Sequence, residues 1–173
     1  MSRRLMLAAG LSSLLVIPAA LRAAVESGPA KDGSAPMLHV DAFNDGERGG
    51  YCLTCSAGKK PTVVAFVRSA DDPTKALLGE LARQAESHKD QKLGAAVVIV
   101  GEGQETHALR SFIESEKLAI PAAVVPGGKE LEKWRLNAEV GRTVVLIREH
   151  TVRASLADPS TEDVASQVGE LCE

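Results

Sequence analysis

Two short segments limit the fold more than anything else in the sequence. Residues 62–68 (TVVAFVR) and 94–100 (GAAVVIV) are almost unbroken apolar runs rich in valine and isoleucine. A strand without polar alternation is one covered on both faces. Between the two runs, Asp71, Asp72 and Pro73 read as the start of a helix. Asp72 can cap it, Pro73 suits its first helical position, and carboxylates favour its positive end. Leu77, Leu81 and Ala85 then recur every four residues, with Leu78 and Ala82 widening the stripe. Such a stripe lies on a sheet. A buried strand, an amphipathic helix and a second buried strand make a parallel pair with a crossover, so the chain is of the α/β class.

The other segments extend that pattern. Strands are expected at 37–43 and 121–125, with a hairpin of 142–148 and 152–156 turning at Glu149-His150. One helix follows the turn Gly101-Glu102-Gly103 and carries Leu109, Phe112 and Ile113; a short one at 129–136 holds Trp134. A last helix opens at Ser160, where Ser160 and Asp163 have the spacing of a capping box, and its apolar face is Val164, Val168 and Leu171. Residues 1–24 read as a signal peptide: Arg3 and Arg4 precede an apolar stretch that ends in small residues. Residues 25–36 are small and polar, as in a flexible leader, and 37–173 form one domain. The chain is therefore expected to be exported, periplasmic or secreted, with no stable membrane span after cleavage. One Trp, one Tyr and three Phe, with a net charge of −3 and no basic tract, exclude nucleic acid as a partner.

Chemistry concentrates on the cysteines, Cys52, Cys55 and Cys172. Two residues between Cys52 and Cys55 let their sulfurs meet in a disulfide or converge on one metal ion, and an export compartment permits disulfides. Ser56, Gly58 and Pro61 oppose a helix continuing from Cys55. Because the pair precedes the 62–68 strand by only a few residues, it is expected at the amino-terminal edge of that strand, opposite the pole where the Asp71 helix begins. A c-type haem is excluded, since Ser56 and not a histidine follows Cys55.

The order of strands and helices over 37–173 resembles the thioredoxin-like superfamily, nearest its exported thioredoxin-like proteins and the alkyl hydroperoxide reductase, peroxiredoxin-like branch. That resemblance implies a three-layer sandwich, a central mixed sheet with helices on both faces. It also implies a CxxC opening the helix after the first central strand. Here Asp71 and Thr74 occupy those places, and Arg142 stands where the family carries a proline before the Thr143 strand. In this topology the last helix descends to the pole away from Asp71, so Cys172 is expected beside Cys52 and Cys55.

Three readings stay open. In the redox reading the three cysteines are the catalytic candidates, Cys52 attacks because Tyr51 flanks it, protein thiols or disulfides are the partners, and no cofactor or metal is needed. In the structural reading the domain is a non-catalytic binding or scaffold module for an unknown protein partner, and a disulfide to Cys172 staples it. In the metal reading three thiolates and a histidine bind zinc or copper(I), and His39, on the strand entering the cysteine loop, is the histidine to test.

Overall fold

The computed structural model describes residues 25–44, 50–125 and 128–173; the expected signal peptide lies outside the described residues. The two apolar runs form β3 (Thr62–Val67) and β4 (Gly94–Ile99), parallel neighbours with Thr62 opposite Gly94 and Val67 opposite Ile99. All six β3 residues are buried, as cover on both faces demands. β4 continues in parallel to β5 (Ala122–Val124), while the other side of β3 pairs antiparallel with β6 (Arg142–Arg148), which turns back into β7 (Thr151–Ala157). An amino-terminal hairpin, β1 (His39–Ala42) and β2 (Gly50–Cys52), extends the sheet beyond β5. The strand order is β2-β1-β5-β4-β3-β6-β7.

Side-chain alternation divides the core into two layers. Val63, Ala65 and Val67 point to the face covered by α2 (Asp72–Ser87), α3 (Gln104–Ser115) and α5 (Thr161–Cys172), against Leu77, Leu81, Leu109, Ile113, Val164 and Val168. Val64 and Phe66 point to the opposite face, where they meet Leu38, Val40, Trp134 and Leu53 of α1 (Leu53–Ala57); Leu131 of α4 (Gly128–Glu132) packs there too. Trp134 is fully buried, its ring 4.9 Å from that of Phe66. Each fully buried side chain of this size contributes about 1.5–3 kcal/mol. The result is the expected three-layer α/β sandwich of thioredoxin-like fold. Among the described residues, no helix is long and apolar enough to cross a membrane.

The α5 cap lies where the sequence places it, whereas the α2 cap lies one residue earlier than expected, at Asp71, with Asp72 already the first helical residue. Asp71 accepts the Thr74 N–H at 2.8 Å to open α2, and Ser160 and Asp163 form both bonds of the capping box on α5. Residues 25–36, expected on composition to be a flexible leader, run along the outer edge of β7. Val152 N–H donates to Gly33 at 2.8 Å, and Asp32 and Ala35 donate to Val152 and His150 at 2.8 Å each. Ser27 is buried, with its hydroxyl 2.6 Å from that of Thr143. The backbone groups of an otherwise open sheet edge are thereby used.

Candidate redox site

Cys52 is the last residue of β2 and the residue that caps α1. Its sulfur accepts the backbone N–H of Cys55 at 3.2 Å and lies 3.7 Å from the Thr54 hydroxyl. Cys52 and Cys55 are joined in a disulfide, their Cα atoms 5.3 Å apart, and Cys55 is exposed where Cys52 is half-buried. A short helix therefore opens between the two cysteines, and it ends two residues after Cys55, where Gly58 is expected to oppose its continuation. Gly58, with φ of 58°, is its terminator: it adopts a conformation costly for other residues and donates its N–H to Cys55 at 3.2 Å. The helix is one turn and a half long, enough to orient two sulfurs and too short to show as a periodic pattern.

The position of the pair differs from expectation, and the strand register shows why. Gly50 pairs with Asp41, Asp41 with Val124, Val124 with Ile99, and Ile99 with Val67. This row marks the carboxy-terminal end of β3, and Cys52 lies two residues beyond it. The hairpin reverses the chain once more than sequence proximity suggests, so β2 runs parallel to β3 and delivers the cysteines to the pole where α2 begins. α1 and the residues after it then travel back down the Trp134 face to Thr62.

Cys172 is not part of this group. It ends α5, where Arg148 donates to the Leu171 carbonyl at 2.9 Å; the residue before Arg148, Ile147, pairs with Thr62 at the far end of β3. Seven strand residues, about 23 Å, separate that level from Cys52 along the sheet. Cys172 packs on the α2–α5 face, whereas Leu53 packs on the other. A bridge requires Cα atoms within about 7 Å, so the expected cluster of three sulfurs is corrected to one pair and one distant free thiol. The staple through Cys172 and the three-thiolate metal set both lose their geometry. Burial pushes the Cys172 thiol above its ordinary value, against the smaller opposing effect of Arg148.

The family's usual thiol positions hold an ionic cluster. Arg142 places one guanidinium nitrogen 3.3 Å from Asp71 and another 3.2 Å from Asp158, and Ser69 donates to Asp71 at 2.9 Å. These groups fix the α2 entrance to the start of β6, and no sulfur is available there for exchange.

One arrangement near Cys52 has little signal in the sequence. His39 stands directly across the β1–β2 ladder from Cys52. Glu130 accepts both the His39 backbone N–H, at 2.6 Å, and the ring Nδ1, at 2.7 Å. β5 ends before it reaches His39, and the Glu130 carboxylate takes over the place of a β5 carbonyl. The His39 backbone N–H, followed by its ring, holds the Glu130 carboxyl below its usual range. Ninety-one residues separate the partners, so spacing alone could not join them, although His39 itself stood out by its place on the entering strand.

No family model and no curated protein matches the sequence. Solved structures do match the fold. The thioredoxin domain of a thiol-disulfide oxidoreductase from Bacteroides vulgatus aligns with a TM-score of 0.69 at 14% identity, covering 84% of this chain and 99% of that one. A DsbF homologue from Corynebacterium diphtheriae gives 0.65 at 13% identity, covering 80% and 86%. A secreted Mycobacterium tuberculosis disulfide oxidoreductase homologous to E. coli DsbE gives 0.61 at 14% identity, covering 77% and 95%. The chain thus shares the thioredoxin-like architecture of proteins named for disulfide chemistry.

Proposed function

We propose that the chain is an exported thiol-disulfide exchange protein whose working pair is Cys52 and Cys55, acting on protein dithiols. The observation that carries this reading is the disulfide itself, placed at a helix opening with one sulfur exposed and the other held by hydrogen bonds. The exchanging sulfur is Cys55, the exposed one, in place of the Cys52 expected from its flanking Tyr51: an incoming substrate thiolate attacks Cys55 and the Cys52–Cys55 bond breaks. The Cys52 thiolate leaves toward the Cys55 N–H and the Thr54 hydroxyl, and a more stabilised thiolate leaves faster. The second substrate thiolate then attacks the substrate sulfur of the mixed disulfide and releases Cys55. The substrate dithiol is oxidised to a disulfide, and the protein gains two electrons and two protons as two thiols. Cys172 takes no part in this exchange. Export is supported by the charged and apolar first 24 residues and by the secreted relative of the same fold.

A structural role for the pair is the weaker reading. The cysteines are three residues apart, and a loop that short restrains the unfolded chain by about 2 kcal/mol, against about 4.7 for a loop of one hundred residues. Equilibration in glutathione buffers, read by mass spectrometry after acid quenching, tests the proposal. A reversible couple between about −270 and −120 mV, lost in Cys52→Ser and Cys55→Ser, is expected; a potential below about −300 mV with no exchange would refute it.

A further inference from the structure

We propose that His39 is the acid–base partner of Cys52, oriented by Glu130, so that Cys52, His39 and Glu130 act as one unit in disulfide exchange. The inference deepens the function proposed above and rests on the same pair. Its first ground is the ladder. Leu53 N–H donates to the Leu38 carbonyl at 2.8 Å, the bond that flanks a non-hydrogen-bonded antiparallel pair, and that pair is His39 and Cys52. Such residues have Cα atoms about 4.5 Å apart and side chains on the same face, closer than any other cross-strand neighbours.

The second ground is the orientation of the ring. Nδ1 of His39 lies 2.7 Å from Glu130 Oε1, so the neutral imidazole carries its proton on Nδ1 and presents Nε2 as the base. The other Glu130 oxygen holds the His39 backbone, so one carboxylate fixes both the strand position and the ring of the same residue. When Cys52 is released as a thiolate, an imidazolium at His39 can pair with it and return the proton. When Cys52 re-forms the disulfide, Nε2 takes that proton back. The step transfers one proton between sulfur and nitrogen and needs no other reactant.

Among the described residues, few other charges face this unit. Asp41 lies two residues along the same face of β1, opposite Gly50, which has no side chain to interpose. Lys133 acts on Glu130 from beyond the end of α4. α1, with the sequence LTCSA, brings none.

The test uses the whole protein, reduced and desalted. The rate at which iodoacetamide alkylates Cys52 is followed against pH, with the modified peptide quantified by mass spectrometry. His39→Ala should slow alkylation near pH 6 by about tenfold, the equivalent of one unit in thiol ionisation. Glu130→Gln should move the rate in the same direction by less, and added imidazole should restore His39→Ala. Unchanged profiles in both variants would overturn the inference, as would a loss that imidazole does not restore. Should His39→Ala fail to fold, Glu130→Gln decides alone, because it leaves the hairpin sequence intact. Alkylation reads Cys52 in the reduced protein whether or not the pair exchanges with substrates, so failure here and failure of the redox function are seen separately.

Discussion

Replacing Asp71 with alanine removes two things at once from the α2 entrance. The first is the cap: Asp71 accepts the Thr74 N–H at 2.8 Å, and losing such a cap costs about 1 kcal/mol. The second is one of the two carboxylates on Arg142. Asp71 has a half-exposed side chain and a 3.3 Å contact, and Arg142 keeps Asp158, so this pair is discounted to about 0.5 kcal/mol. The total of about 1.5 kcal/mol lowers the melting temperature by about 3–6 °C for a chain of this size. Asp71→Ser keeps a capping oxygen and should lose only the smaller part.

The effect should also depend on pH. Burial raises the Asp71 carboxyl, but hydrogen bonds from Thr74 and Ser69 and the charge of Arg142 outweigh it, so the folded value is below the ordinary one. A depressed carboxylate contributes above the unfolded value and loses that contribution as pH falls through the folded one. Thermal unfolding followed by far-ultraviolet circular dichroism should therefore show a gap between wild type and Asp71→Ala that is full near about pH 7 and narrows below about pH 4. Equal melting temperatures at neutral pH, or a gap that widens in acid, would refute the assignment of Asp71 as an ionised cap.

Two further substitutions probe other parts of the fold. Gly28 has φ of 109°, and a Cβ there would sit 2.7 Å from both Cβ and Oγ of Ser155, whose hydroxyl holds the Pro29 carbonyl. Gly28→Ala should therefore destabilise by about 1–3 kcal/mol in urea unfolding; a neutral result would mean that the segment over β7 adds nothing to stability. The oxidised native protein should give one free thiol per chain, Cys172, reacting slowly with a thiol reagent at mildly alkaline pH because burial raises its pKa and leaves less thiolate. Cys172→Ser should keep full disulfide exchange, and lost exchange would return Cys172 to the working group.

Legibility in the sequence follows the range of the physics. The β3 and β4 runs and the Ser160–Asp163 box are local patterns found in their expected places, and the α2 cap is displaced by one residue, to Asp71 from the expected Asp72. The β6–β7 hairpin also stands where alternation puts it, although its turn residues, Glu149 and His150, both adopt positive φ without the usual glycine or asparagine. What is not legible is register. β2 has three residues, too few for any periodicity, yet its pairing with β1 determines which pole receives the cysteines. The helix of 129–136 is shorter than expected because only Gly128–Glu132 are helical, leaving Trp134 in the following turn, where the bulk of its ring still fills the layer beneath Phe66.

The same register explains how a thiol pair can be at the usual pole without occupying the usual helix. In this fold the carboxy-terminal ends of parallel strands share one rim, and the row from Gly50 through Asp41, Val124 and Ile99 to Val67 puts β2 on that rim. Whatever helix follows a strand ending there begins at the rim and points its free N–H groups outward. At α2 one of those groups, the Thr74 N–H, is taken by Asp71, a fixed acceptor already tied to Arg142, and no sulfur stands there. At α1 the acceptor is the sulfur of Cys52, whose bonding changes with redox state. An N–H that holds a disulfide sulfur weakly holds a thiolate strongly, because a charged acceptor makes the stronger bond. On the proposed function, the short helix therefore favours the reduced form of its own cap, and the exposed Cys55 sulfur is the point at which a substrate thiolate would release it.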